Sequence, residues 1–262
     1  MKDYQDYQDI VVQKSNGVGE VIINRPEVKN AMSRNTALEM MSAFKELDED
    51  SEVRVIVLSH TGEYFCAGGD LQGYKDKPHI IYREYTHTVG DLWKMVTTLS
   101  KPLVASISGH VLGGGVGMIA ACDMVIVSED VNIRCAEINI GMWPMVVMPV
   151  LFRSVGRKKG LEMMMLGENV PAEEAKEIGL VNFVCKKDEL RDATNQITEK
   201  LITKSPLALK LGRQVYHNIE DMEYNKAIEY TAEMITLLCC SHDGQEGVKA
   251  FFEKRQPAYV GY

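Results

Sequence analysis

The chain has 262 residues and a mass of 29.4 kDa, with 45% hydrophobic and 25% charged residues. That length and balance fit one large α/β unit with room for a helical extension, and exclude a disordered tail, a collagen-like fibre and a disulfide miniprotein. Lys plus Arg number 29 against 37 Asp plus Glu, a net charge of −8 with a pI near 5.4, which argues against a nucleic-acid partner.

The polar, acidic start has neither a basic n-region nor an apolar h-region, which predicts no secretory signal. Residues 10–13 and 18–23 read as two strands joined at Asn16-Gly17, a hairpin signal. Asn24-Arg25-Pro26 ends the second. From Ser33 to Asp48, Leu38, Met41, Phe44 and Leu47 recur at spacings of three, which predicts an amphipathic helix capped by Ser33. Residues 53–59 form a largely apolar strand, as expected of one covered on both faces. Residues 60–88 are mixed and polar, with Gly68-Gly69 and Lys77-Pro78 as breakers, and helix resumes over Thr88–Leu99.

The stretch from Pro102 to Cys122 has no Asp, Glu, Lys or Arg, about the length of a membrane span. Ser106, Ser108, Gly109, His110 and the triplet Gly113-Gly114-Gly115 divide it into a strand over 103–108, a turn and a small-residue helix over 114–121. Buried strand–turn–helix is the better reading, and no membrane partner is expected. Met124–Ser128 is strand, while Gly160–Leu166 and Ala172–Ile178 are helical, the latter stopped by Gly179. Alternating strands and helices define an α/β class. From Glu189 to Lys254 helical periodicity dominates, so a composition shift separates residues 1–188 from a helical region, 189–262. The six cysteines form no C-x-x-C and no zinc spacing, which favours free thiols in a cytoplasmic protein and no metal.

Two glycine segments follow the two most apolar strands: Phe65-Cys66-Ala67-Gly68-Gly69-Asp70-Leu71, and Gly109-His110-Val111-Leu112-Gly113-Gly114-Gly115. Glycine lets backbone approach a ligand, and a helix starting near Gly114 would aim free N–H groups at that spot. Two N–H groups converging on one carbonyl oxygen make an oxyanion hole. Two tight turns with packing glycines are the plainer alternative. A phosphate loop of the usual form is excluded, since no Gly-Lys-Ser/Thr follows.

Taken in order, Asn24-Arg25-Pro26…Asn30-Ala31, Phe65–Leu71, Lys101-Pro102…Gly109-His110…Gly113-Gly114-Gly115…Cys122-Asp123, Ala136-Glu137-Ile138-Asn139-Ile140-Gly141, Ala175…Gly179-Leu180-Val181 and Lys204-Ser205-Pro206 span the chain from about residue 10 to 257. This ordered set resembles the crotonase family, the enoyl-CoA hydratases and isomerases. The resemblance implies a fold of repeated ββα units, with two packed sheets and a helical C-terminal region that joins a trimer, often paired into a hexamer. The implied ligand is an acyl-CoA thioester, with coenzyme A as part of the substrate and no separate cofactor. Its carbonyl would sit between the N–H groups of Gly69 and Gly114, with the adenine end along the backbone of Ala67, Gly68, Gly69, Asp70 and Leu71. Lys29 stands where the family often holds a basic residue near the CoA phosphates, and Phe252 and Lys254 match a C-terminal segment that often touches CoA from a neighbour. Solvated surface lysines are the alternative for Lys29 and Lys254.

Hydratases of this family hold water between two glutamates. The first position is Gly117 here, so that glutamate is absent; the second is Glu137. Glu137 is the only acid between Asp130 and Glu162, beside a run holding Met142, Trp143, Met145, Val146, Val147 and Met148. Apolar surroundings raise a carboxyl's pKa toward a useful range. A structural ion pair with Arg134 or Arg153 is the alternative. One carboxylate suits proton shuttling between C2 and C4 of a 3-enoyl-CoA, so isomerisation is the expected activity. Hydration with an atypical water-positioning group, or a non-catalytic acyl-CoA-binding subunit, are the alternatives. His110, just before the triplet, is the histidine nearest the glycines in sequence. Trp143 and Met145 are candidate acyl-pocket residues, whereas Met163–Met165 read as core.

Overall fold

The computed structural model describes residues 6–73 and 75–262. The chain begins with the expected hairpin, β1 (Ile10–Ser15) and β2 (Val18–Ile23), antiparallel with Ser15 opposite Val18. Asn16 and Gly17 both have positive φ (51° and 78°), which a two-residue hairpin turn requires. Helix α1 (Arg34–Glu49) starts at Ser33, whose hydroxyl accepts the Thr36 N–H at 3.0 Å.

Strands β3 (Val55–His60), β5 (Leu103–Ile107), β7 (Met124–Ser128) and β10 (Phe183–Cys185) complete a six-stranded sheet of order β1-β2-β3-β5-β7-β10, parallel beyond β2. A second sheet stacks β4 (Tyr64–Cys66), β6 (His110–Leu112), β8 (Asn132–Arg134) and β9 (Val170–Pro171). Strand pairs β3–β4, β5–β6 and β7–β8 each send one strand to each sheet. The first two are followed by α2 (His79–Thr98) and α3 (Gly114–Ala121), which gives the ββα repeat. Side chains alternate along β3. Ile56 and Leu58 face the main core with Phe44, Phe65, Leu92 and Leu103, while Val55 and Val57 face Leu190 on the other side.

That outer face is covered by α6 (Leu190–Ile202), through Leu190, Ala193, Ile197 and Leu201. The composition shift at residue 188 thus precedes a helix that belongs by packing to the sheet. Helices α4 (Met148–Leu166) and α5 (Ala172–Glu177) precede β10; α7 (Pro206–Ile219), α8 (Tyr224–Cys240) and α9 (His242–Glu253) form the helical end.

Two helix starts differ from the sequence reading by nine residues or more. Helix α2 begins at His79, directly after Pro78, and not at Thr88. Proline breaks a helix interior but is compatible with the residue before its first turn, so Lys77-Pro78 marks a start. Helix α4 begins at Met148, twelve residues before Gly160, and bends at Gly156 (φ 73°, ψ 169°). Among the described residues no helix is long and apolar enough to cross a membrane.

Candidate active site

The two glycine segments meet. Gly68 (φ +98°) and Gly113 (φ +53°) face one another so closely that a Cβ on Gly113 would stand 3.1 Å from the Gly68 Cα and 2.9 Å from Glu137 Oε1. Any side chain at 113 would therefore need both a disfavoured φ and space that backbone and carboxylate already occupy. The first segment is fixed against the loop before α1. Met32 N–H donates to Gly68 O at 2.8 Å, Asp70 N–H to Met32 O at 2.9 Å and Ala67 N–H to Lys29 O at 3.1 Å. None of these bonds uses the Gly69 N–H. The second segment is tied to β8 by Gly113 N–H donating to Arg134 O at 2.8 Å. Gly114 is the first residue of α3, where the N–H has no partner within the helix.

Glu137 lies on a short 3-10 turn, Ala136–Ile140, ended by Gly141 in the left-handed region. Its Oε1 sits beside Gly113, and its Oε2 is buried with no hydrogen-bond partner among the described residues. Burial pushes its pKa above the ordinary carboxylate value. Neither suggested ion pair forms. Arg134 Nε donates to Gly167 O, and Arg153 pairs with Glu220 and Asp221. A buried carboxylate oxygen without a described partner, with its pKa raised by burial, is the kind of perturbed group that marks a candidate functional site. The nearby thiols are poor nucleophiles: burial pushes Cys66 up to about 11 and Cys135 to about 12.

The position of the missing glutamate is tight. A Cβ on Gly117 would lie 3.2 Å from Trp93 Cζ2 and 3.2 Å from Val147 Cγ2. Tyr85, also on α2, places its hydroxyl 2.8 Å from where a Gly69 Cβ would stand. Both α2 residues were absent from the sequence reading. Tyr85 falls in the segment read as loop, and Trp93 reads as one more apolar position of a helix.

The remaining candidates divide. Lys29 is exposed, with Nζ over the Tyr64 ring at 5.2 Å from its centroid. The Asp70 carboxylate is engaged by Arg25 at 3.1 Å, its N–H by Met32 O and its carbonyl by the Gly73 N–H at 3.1 Å, and Leu71 is exposed. Trp143 packs partly into the core, while Met145 is 65% exposed. Met163 and Met164 are core, and Met165 is exposed. Phe252 is exposed at the end of α9, which Lys254 closes in the left-handed region; α9 packs on α7 and α8, apart from the Glu137 cluster. His110 serves the sheet: its Nδ1 accepts the Asn132 N–H at 3.2 Å. His60 accepts the Ser108 N–H, and burial keeps its pKa low. A cavity of about 890 Å³ between the Ile119–Cys122 end of α3 and α7 is lined by none of the glycine loops or Glu137. Among the described residues no cluster of three or more His, Cys, Asp or Glu is placed to hold a metal.

A crotonase-type core with two facing glycine loops and one buried acid belongs to an acyl-CoA-processing class of protein. Residues 13–261 match the family described as enoyl-CoA hydratase/isomerase, and the chain belongs to that family. It is 28% identical to the 2,3-dehydroadipyl-CoA hydratase of Escherichia coli, over 97% of this chain and 99% of the relative. It is 29% identical to a short-chain-enoyl-CoA hydratase of Clostridium acetobutylicum, over 96% and 97%. The crystal structure of an enoyl-CoA hydratase from Mycobacterium smegmatis superposes with a TM-score of 0.93 at 29% identity, covering 96% of this chain and 99% of that one.

Proposed function

We propose that the protein is an enoyl-CoA isomerase in which Glu137 is the single proton shuttle. The thioester carbonyl accepts hydrogen bonds from Gly69 and Gly114 N–H. The Glu137 carboxylate takes a proton from C2 of a 3-enoyl-CoA, and the electron pair spreads into a dienolate held by the two donors. The protonated Glu137 returns the proton at C4, and the double bond ends between C2 and C3. The observation that carries this reading is Gly117: where hydratases of the family keep a second carboxylate this chain has no side chain, and Trp93 and Val147 stand 3.2 Å from where one would begin.

A second reading, hydration, is favoured by the names of the relatives, which are hydratases. It needs a water-positioning group other than a residue-117 carboxylate. Incubation of 2-enoyl- and 3-enoyl-CoAs in deuterated water, followed by mass spectrometry, separates the two. Isomerisation with deuterium at C2 or C4 and no 3-hydroxyacyl product is expected. A 3-hydroxyacyl-CoA formed at a rate typical of hydratases would replace this reading with hydration, and recovery of unexchanged substrate would leave only acyl-CoA binding.

The rest of the site follows the same reading. The backbone from Ala67 to Leu71 takes the adenine end, Lys29 the phosphates, and Trp143 and Met145 the acyl chain. Phe252 and Lys254 reach CoA from a neighbouring subunit. Tyr224, Ile228, Ile235, Leu237 and Phe251 are exposed on α8 and α9, which supports a homotrimer or hexamer of a cytoplasmic enzyme. Light scattering at micromolar concentration is expected to give a mass three or six times 29.4 kDa, and a monomeric mass would contradict the assembly.

A further inference from the structure

The reaction scheme above uses the Gly69 and Gly114 N–H groups and Glu137, and leaves one polar group beside them without a role, the Tyr85 hydroxyl. Among the described residues, the atoms nearest to where a Gly69 Cβ would stand are Tyr85 Oη, Cζ and Cε1, at 2.8, 3.6 and 3.8 Å. The phenol thus meets Gly69 end-on, hydroxyl first. Its ring packs, partly buried, against the core, which holds it there. The same helix also reaches the Glu137 turn. The Tyr82 and Tyr85 rings meet at 6.3 Å between centroids, Tyr82 O–H donates to Met142 Sδ at 3.7 Å, and Met142 N–H donates to Glu137 O at 3.0 Å. A chain of contacts therefore runs from Gly69 through Tyr85 and Tyr82 to the turn that carries the acid.

Reach decides what this hydroxyl can do. A Cβ lies about 2.5 Å from its own backbone nitrogen, and Tyr85 Oη lies 2.8 Å from that Cβ position, so Oη is no more than about 5.3 Å from Gly69 N. An oxygen accepting from an N–H sits about 2.9 Å from the nitrogen, and one accepting from a hydroxyl about 2.7 Å from its oxygen. Together these spans reach about 5.6 Å, so one acceptor oxygen can bond to both groups at once. We propose that Tyr85 is a further catalytic residue, whose hydroxyl donates a third hydrogen bond to the thioester oxygen held at Gly69. That bond strengthens as the oxygen takes up enolate charge, because a hydrogen bond to a charged acceptor is stronger than one to a neutral carbonyl. The inference rests on the assignment of the acyl-CoA site above, but not on which reaction occurs there, since isomerisation and hydration both develop charge on this oxygen.

The test uses hexanoyl-CoA isotope-labelled at the thioester carbonyl, a saturated ligand that neither an isomerase nor a hydratase turns over. Its carbonyl stretch is read by difference infrared spectroscopy in the wild-type protein and in Tyr85→Phe, which keeps the ring and loses the hydroxyl. Each donor polarises the C=O bond and lowers its frequency. The band is expected below that of the free ligand in the wild type and part of the way back in Tyr85→Phe, with calorimetric affinity within a few-fold. Turnover of the enzyme's enoyl-CoA substrate should fall about 10–100-fold in Tyr85→Phe, on the scale of one hydrogen bond to a charged group. Gly69→Ala is an independent probe. Gly69 lies outside the left-handed region, and alanine keeps both backbone donors while its Cβ displaces the hydroxyl. The same partial return of the band is expected there, and no further return in the double variant, because both changes remove one contact. A band that keeps its wild-type position in Tyr85→Phe would overturn the proposal, as would the same result in Gly69→Ala if Tyr85→Phe failed to fold, or additive shifts in the double variant. If hexanoyl-CoA does not bind the wild type, or binds with its band at the free-ligand position, the site assignment fails instead.

Discussion

Gly114→Pro is expected to lower kcat on a 3-enoyl-CoA by about 10²–10³-fold while leaving the affinity for a saturated acyl-CoA within a few-fold of wild type, on the scale of one lost oxyanion donor. Proline has no N–H, so the substitution deletes that donor, with the ring Cδ standing where the amide hydrogen was. The position tolerates it. Gly114 is the first residue of α3, where proline is favoured, and a Cβ there meets no atom within 4 Å. Gly113 before it carries no Cβ to clash with the new ring. The symmetrical change at Gly69 is a worse probe, because a Cβ at 69 would strike the Tyr85 hydroxyl at 2.8 Å and confound a lost donor with a displaced helix. Rate at saturating substrate, calorimetric affinity and the circular dichroism spectrum together decide the matter. A folded Gly114→Pro protein with a near wild-type rate removes Gly114 from the oxyanion hole.

This probe was legible in part from the sequence. The Asn16-Gly17 turn, the Ser33 cap and the start of α3 at Gly114 are local features, and local features fix short-range geometry wherever they occur. The pairing of the two glycine loops is not local: Gly68 and Gly113 are brought together by β4 and β6 in the second sheet, whose three-residue strands are too short to show a period. Glu137 was legible through family likeness, although one part of the physical argument changes. The run beside it divides: Met142 and Met145 are open at 40% and 65% exposure, while Val147 is buried and Trp143, Val146 and Met148 pack against the core. Tyr85 lies among the mixed, polar residues 60–88 that carry no clear helical signal, and Trp93 is not legible because an aromatic ring at a helical position has the same pattern whether it fills core or faces a ligand. The crowding of the Gly117 site by Trp93 is a contact between two helices, α2 and α3, that no spacing in either one encodes.

Glu137→Gln is expected to abolish exchange at C2, a loss of about 10²–10⁴-fold for one placed acid–base group, with acyl-CoA affinity largely kept. The amide has the carboxylate's shape but cannot take the proton. Stability should change in the opposite direction. Burial raises the pKa of Glu137 above its ordinary value of 4.5, so the folded protein holds this proton more tightly than the unfolded chain does. The stabilisation from that proton is fully present below about pH 4.5 and is lost as pH rises through the folded-state pKa. Above its folded-state pKa the native protein carries a buried charge with one oxygen unpartnered among the described residues, and the neutral glutamine relieves it. The variant should melt at a higher temperature than wild type at a pH above that pKa, and the difference should shrink below pH 4.5. Activity follows the same titration from the other side: the base works only when ionised, so wild-type kcat/KM should fall on acidification with a midpoint above 4.5. Thermal melts at both pH values and a pH–rate profile test the three statements together. A Glu137→Gln protein that still exchanges deuterium at C2, or that is less stable than wild type at the higher pH, would mean that Glu137 is held by an interaction of structural value and that another group moves the proton.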